Sequence, residues 1–156
     1  MSEDQVDVLF VCTGNTCRSP MAEALFRRAV AARGHPELRV GSAGTGAWDG
    51  APASEGAYLV ALEAGLDLSA HRARLLTPAL VQSARLVLTM SGQHRDRVAA
   101  LGGADRVHTL GAYAGQSGRA GDISDPYGGD LDGYRRTLRE LEVLVEGAVD
   151  RVTAGR

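Results

Sequence analysis

The run Cys12-Thr13-Gly14-Asn15-Thr16-Cys17-Arg18-Ser19 holds the side chains of this chain best suited to chemistry. A thiol becomes a nucleophile as the thiolate, and a guanidinium with nearby backbone amides favours that anion. The same groups bind the non-bridging oxygens of a phosphoryl group, Arg18 through two parallel hydrogen bonds that lysine cannot make. They would also hold the charge of an in-line phosphoryl transfer. The flanking residues supply the frame. Val8-Leu9-Phe10-Val11 reads as a buried strand, and Pro20 to Phe26 as the first turns of a helix. Residues 13–18 then lie on a loop that presents its amides where a helix begins, a natural site for an anion. Gly14 and Asn15 suit a tight loop because both tolerate positive φ. Ser19 can cap the helix with Pro20 behind it, and its hydroxyl can stabilise the thiolate as a leaving group.

Other readings of this run fit poorly. A Walker loop needs Gly-Lys-Ser/Thr, and the chain has no lysine. A dinucleotide loop needs three spaced glycines. A zinc site needs four ligands, where this chain offers two cysteines and scattered histidines. The plain alternative is a cysteine packed at a strand end, which leaves the spacing to Arg18 without a purpose.

The 156 residues suffice for one domain, 1–156, with a core that needs no staples. A formal net charge of −2 and the lack of a basic stripe argue against a nucleic-acid partner. Arg27-Arg28 and Arg135-Arg136 read as solvated helix faces. No run approaches the roughly 18 apolar residues of a membrane span. The acidic start followed by a short strand does not resemble a signal peptide. These features point to a cytoplasmic protein with free thiols. They say nothing of oligomeric state.

Strand and helix patterns alternate along the chain. Strands are expected at Val6–Val11, Leu38–Ser42, Leu86–Met90 and Val107–Leu110. Helices are expected from Ser19 to a stop at Gly34, over Ser54–Ala64, after Thr77-Pro78, from Ser91 to about Leu101, and from Leu131 to about Thr153. The last carries Leu138, Leu141, Val145 and Val149 on one face. Gly111–Gly121 reads as a glycine-rich loop. The alternation predicts an α/β, doubly wound sheet of four parallel strands with helices on both faces. With strand order 2-1-3-4, the carboxyl end of the first strand is the switch point where ligands bind, and Cys12 lies there.

Over nearly its whole length the chain resembles the low-molecular-weight protein tyrosine phosphatases. The resemblance rests on Val8 to Glu23, Ser42-Ala-Gly44, His71-Arg-Ala-Arg74 and Asp125-Pro-Tyr127, in the expected order. It implies that Cys12 is the nucleophile, Arg18 the phosphate clamp and Asp125 the general acid. Negative charge on thiolate and phosphate would help to keep that acid protonated. Asn15, Ser19, Ser42 and His71 would support the loop. Neither metal nor cofactor is implied. Cys17 reads as a packed small residue or as the partner that traps oxidised Cys12 in a disulfide. Trp48 and Tyr127 read as walls of the pocket. His35, His94 and His108 read as surface residues.

Two positions depart from the tyrosine-specific pattern. Thr16 stands where the family usually has an aliphatic residue, and Gly128 where it has a second aromatic. Both resemble the protein arginine phosphatase branch. A phosphotyrosine ring favours apolar walls, whereas the slim, polar phosphoarginine stem accommodates a hydroxyl. The expected partners are therefore phosphorylated proteins, carrying phosphoarginine or, as the alternative, phosphotyrosine. An arsenate reductase of this fold would need a further cysteine, and none follows Cys17. A non-catalytic phospho-residue binder would not need Cys12 and Asp125.

Overall fold

A computed structural model describes residues 5–115 and 122–156. Its sheet has four parallel strands in the order β2-β1-β3-β4: β1 Val6–Cys12, β2 Val40–Gly44, β3 Ala84–Thr89 and β4 Val107–Thr109. The fold class is as the alternation predicts. α1 spans Arg18–Ala32, α2 Glu55–Glu63, α3 Pro78–Ser83, α4 Gly92–Val98, α5 Leu110–Tyr113 and α6 Leu131–Thr153.

Strand β1 explains the layering. Successive side chains of a strand point to opposite faces. Val8, Phe10 and Cys12 join one apolar cluster with α1 and α6, where Phe10 meets Phe26 edge to face at 5.7 Å. Leu9 and Val11 join a second cluster with Val81 of α3 and Val98 of α4. A strand buried on both faces needs a continuous apolar run, and residues 8–11 supply it. In α6, Tyr134, Leu138, Leu141, Val145 and Val149 recur at helical spacing and are all buried.

Several boundaries differ from expectation, the third strand among them at Ala84–Thr89, and three of the differences have a clear physical reason. The second strand begins and ends two residues later than its apolar pattern suggests, because pairing with β1 sets its register. Val8 lies beside Val40, and Cys12 beside Gly44. The first helix begins at Arg18 with Cys17 at its cap position, and no side chain caps it. Ser19 lies inside that helix, its hydroxyl already engaged by Asn15 and Cys12. Pro20 is tolerated there because its missing N–H falls within the unpaired first turn. Finally, Leu110–Tyr113 forms a turn of helix capped by Thr109, where the last strand residue and the start of a loop were expected. The rest of that glycine-rich stretch, 116–121, lies outside the described residues.

Ser54, Thr77 and Ser91 cap α2, α3 and α4, each accepting a backbone N–H from the first turn. After α4 the backbone widens into a π-helical turn, Ala99–Gly103, with Gly102 at φ 102°. All four strands run the same way, so their carboxyl ends gather on one edge. Cys12, Gly44 and Thr89 end their strands there, and the loops that follow build the site.

Candidate active site

Asn15 organises the loop between β1 and α1. It is fully buried and, among the described residues, is the one non-glycine with positive φ, at 56°. Its side chain offsets that strain. Asn15 Nδ2 donates to Ser19 Oγ at 2.8 Å and to Ser42 Oγ at 2.9 Å, while Oδ1 accepts the Arg74 N–H at 2.9 Å. His71 Nε2 donates to the Asn15 carbonyl at 2.7 Å. Gly14, in contrast, lacks positive φ, and a Cβ there would meet only Thr16 Oγ1 at 3.5 Å. Both residues tolerate positive φ, and of the two asparagine alone adopts it.

The hydroxyls form an ordered chain. Ser42 Oγ accepts from Asn15 and donates to Glu23 Oε1 at 2.5 Å. Glu23 is held in turn by Arg27 at 2.7 Å. Ser19 Oγ also accepts from Asn15, which leaves its own proton for Cys12 Sγ, 2.9 Å away. A hydroxyl proton directed at sulfur stabilises a thiolate.

Arg18 is buried at 6% exposure and held at two points. Nη1 donates to the Ile123 carbonyl at 2.9 Å, and Nη2 lies 3.5 Å from Asp125 Oδ2. Its Nε is buried without a partner. A buried guanidinium N–H left unpaired is costly, and an oxyanion bridging Nε and Nη2 would satisfy it. Asp125 itself is half exposed, with its Oδ1 accepting the Tyr127 N–H at 3.1 Å. The Gly129 N–H closes a turn onto the Pro126 carbonyl, with Gly128 at φ 80°. That turn demands glycine at its third position. The missing second aromatic is therefore tied to the backbone.

These groups share one cleft of about 370 Å³. Cys12, Thr13, Gly14, Thr16, Cys17 and Arg18 form its floor and near wall, and Trp48, Asp125 and Tyr127 its rim. Trp48 is 85% exposed and Tyr127 71%, so both aromatic faces are open to a ligand. A larger groove of about 810 Å³ between α1 and α6 contains none of these residues. Chemistry, not size, marks the site. Among the described residues, no three His, Cys, Asp or Glu side chains cluster as a metal would require. Both thiols are free, and Cys17 Sγ lies 3.1 Å from Ser54 Oγ and 3.6 Å from the Tyr134 hydroxyl.

His94 is the residue whose place the sequence concealed. Expected at the surface, it is 5% exposed and bonded to the loop: Nε2 lies 2.8 Å from Thr13 Oγ1, and Nδ1 lies 2.9 Å from Ser91 Oγ. The available signal was Ser91-x-x-His94, the cap and third position of a helix, which reach towards one another. Burial first, and then the charge of Arg18, lower its pKa to about 4, with Asp122 and Asp125 opposing less strongly. His108 is exposed and His35 partly buried.

A sheet with parallel order 2-1-3-4 and a cysteine–arginine loop at its switch point defines a class of small phosphatase. Residues 7–155 match the model of the low molecular weight phosphotyrosine protein phosphatase family, and the chain belongs to that family. Its relatives include the protein-arginine-phosphatase of Bacillus subtilis, 44% identical over 142 residues that cover 90% of this chain and 92% of that protein. Another is low molecular weight protein-tyrosine phosphatase A of Mycobacterium tuberculosis, 37% identical over 96% of this chain and 93% of its own. Among solved structures, a cysteine-to-serine variant of the YwlE arginine phosphatase with a phosphorylated active-site serine aligns with a TM-score of 0.87. The two are 40% identical over 97% of this chain and 98% of that one.

Two predictions follow from the packing and the histidine. A Cβ on Gly44 would lie 2.3 Å from the Thr13 carbonyl and 2.9 Å from the Asn15 amide nitrogen, both backbone. Gly44→Ala should therefore displace the loop and weaken binding of inorganic phosphate at least tenfold, read by calorimetry; unchanged binding would refute the close packing. Because the His94 pKa is lowered on folding, its contribution to stability is present above the unfolded value of about 6.5 and is lost as pH falls towards 4. Over that window the wild type should lose about 3 kcal/mol more than His94→Gln in urea unfolding. Equal losses would show that the ring is not held neutral.

Proposed function

We propose that this protein is a cysteine-dependent phosphatase that removes phosphate from phosphoarginine residues of proteins. The observation that carries the phosphatase reading is the convergence of the Cys12 thiol, the unpaired Arg18 Nε and the Asp125 carboxyl on one cleft. In the first step the Cys12 thiolate forms a bond to phosphorus. The P–N bond breaks, its electron pair stays on the guanidine nitrogen, and Asp125 delivers a proton there. Arg18 and the amides of residues 13–18 hold the three oxygens as charge redistributes. Asp125, now ionised, takes a proton from water as its oxygen attacks phosphorus, and inorganic phosphate leaves as the Cys12 thiolate returns. The Ser19 hydroxyl favours that departure.

Thr16 and Gly128 support the choice of phosphoarginine. Thr16 lines the cleft with a hydroxyl where an apolar wall would suit a phenyl ring, and Gly128 withholds a second aromatic. The name of the 44% identical Bacillus subtilis relative points the same way. The exposed Trp48 and Tyr127 favour the second reading, phosphotyrosine, as does the relative in Mycobacterium tuberculosis. Asn15, Ser42 and His71 serve as supports in either case. Cys17 serves as redox partner: a sulfenic acid on Cys12 condenses with the Cys17 thiol, releasing water and forming a reversible disulfide. Such chemistry suits the cytoplasm, where phosphoproteins are met and thiols are reduced again.

The test is kcat/KM on matched phosphoarginine and phosphotyrosine peptides, for wild type and Thr16→Ile, with Cys12→Ser as the inactive reference. Wild type should prefer phosphoarginine, and Thr16→Ile should shift the ratio towards phosphotyrosine by about 10- to 200-fold, the range one side chain in a pocket commands. A wild-type preference for phosphotyrosine would overturn the arginine assignment. Turnover by Cys12→Ser would overturn the mechanism.

A further inference from the structure

We infer that His94 is a positioning residue for the phosphate loop, holding Thr13 through a hydrogen-bond chain that leaves the Thr13 hydroxyl proton free for a substrate in the cleft. This rests on the phosphatase reading above, but not on which phospho-residue is bound.

Thr13 is the residue next to Cys12, so its orientation bears directly on the sulfur. The backbone here is held by the segment after β2: the Cys12 and Thr13 carbonyls accept the Thr45 and Gly46 N–H groups, each at 2.9 Å. The Asn15 brace acts further along the loop. From the opposite side, the Thr13 side chain is met by α4 through His94 Nε2 at 2.8 Å. No other side chain bonds the Thr13 hydroxyl among the described residues. The loop is thus gripped between the segment after β2 and the start of α4.

The direction of the chain follows from donor counting. A neutral imidazole has one N–H and one acceptor nitrogen. Ser91 Oγ accepts the His94 backbone N–H at 3.3 Å and has its own proton to place, and His94 Nδ1, 2.9 Å away, is the acceptor. The ring proton therefore sits on Nε2 and is donated to Thr13 Oγ1. Thr13, accepting there, keeps its hydroxyl proton for the cleft it lines. A protonated ring would still donate to Thr13 but would take from Ser91 the acceptor of its hydroxyl proton. It would also put a second cation beside Arg18, and burial opposes it.

The side-chain chemistry gives a discriminating set of variants. Glutamine places its terminal amide near the position of Nε2 and keeps a donor for Thr13. Asparagine reaches only as far as Nδ1 and cannot bridge. Thr13→Val keeps the shape and removes the hydroxyl. The assay is kcat/KM on p-nitrophenyl phosphate at pH 7, with thermal midpoints measured alongside.

His94→Asn and Thr13→Val should each lose roughly tenfold, a typical consequence of breaking one buried hydrogen bond. The double variant should lose no more than either alone, as expected for two members of one interaction. His94→Gln should recover most of the activity. Losses that multiply in the double variant, or a His94→Gln as poor as His94→Asn, would overturn the inference. If His94→Asn does not fold, Thr13→Val decides alone: wild-type activity there overturns it. A wild type inert towards both the aryl phosphate and a phosphoarginine peptide would instead sink the phosphatase reading, and this inference with it; activity on the peptide alone moves the same comparison to that substrate.

Discussion

The left-handed turn at Asn15 is the constraint on which the site depends. It reverses the chain between β1 and α1 so that the residues after Cys12 curl into a loop instead of continuing outward. An L-residue does not adopt this conformation without compensation. Four partners provide it: Ser19, Ser42 and Arg74 to the side chain, and His71 to the carbonyl. Because these come from α1, β2 and the segment before α3, three separate stretches of chain must be in place before the loop closes. Gly44 completes the arrangement by allowing β2 to lie against the loop backbone at a distance no side chain permits. The sheet and the loop are therefore held by shared contacts.

Within that frame the polar groups are ordered in direction as well as place. Proton donation runs from Asn15 to both serines, from Ser42 on to Glu23, and from Ser19 on to the Cys12 sulfur. Arg18 receives the complementary treatment: one arm tied to the Ile123 carbonyl, one near Asp125, and Nε unpaired. In the phosphatase mechanism proposed above, such preorganisation would cost nothing at the moment of reaction, because the dipoles are already oriented. The cost is carried by the fold, chiefly in the buried asparagine and guanidinium.

How much of this was legible in sequence depended on the kind of signal. The bounds of α6, Leu131–Thr153, could be read directly because a long amphipathic helix states its period many times. The parallel sheet followed from alternation, and the expected strand order, which places Cys12 at the switch point, is the one observed. The second strand was misplaced by two residues because its register is set by pairing with β1, a relation between distant segments that an apolar pattern does not encode. Ser19 looked like a cap by residue type, and only the competing claims of Asn15 and Cys12 show why it is not. His94 was hidden for a similar reason. A lone histidine carries little information until the element that buries it is known. Glu23 and Arg74, both bonded to Ser42 in the structure, lay inside recognised segments, yet their links to that serine were not visible there.

Trp48 is the chain's single tryptophan, and it stands on the rim of the cleft rather than in the core. An indole so exposed contributes little to stability, but it concentrates the protein's long-wavelength absorption and emission at one point beside Cys12. The intrinsic fluorescence of the folded molecule is therefore a local signal. It reports from the rim of the cleft rather than from the interior, where Phe10, Phe26 and Tyr134 supply the rings. The protein carries its own optical label at its reactive edge, with no dye or added residue required.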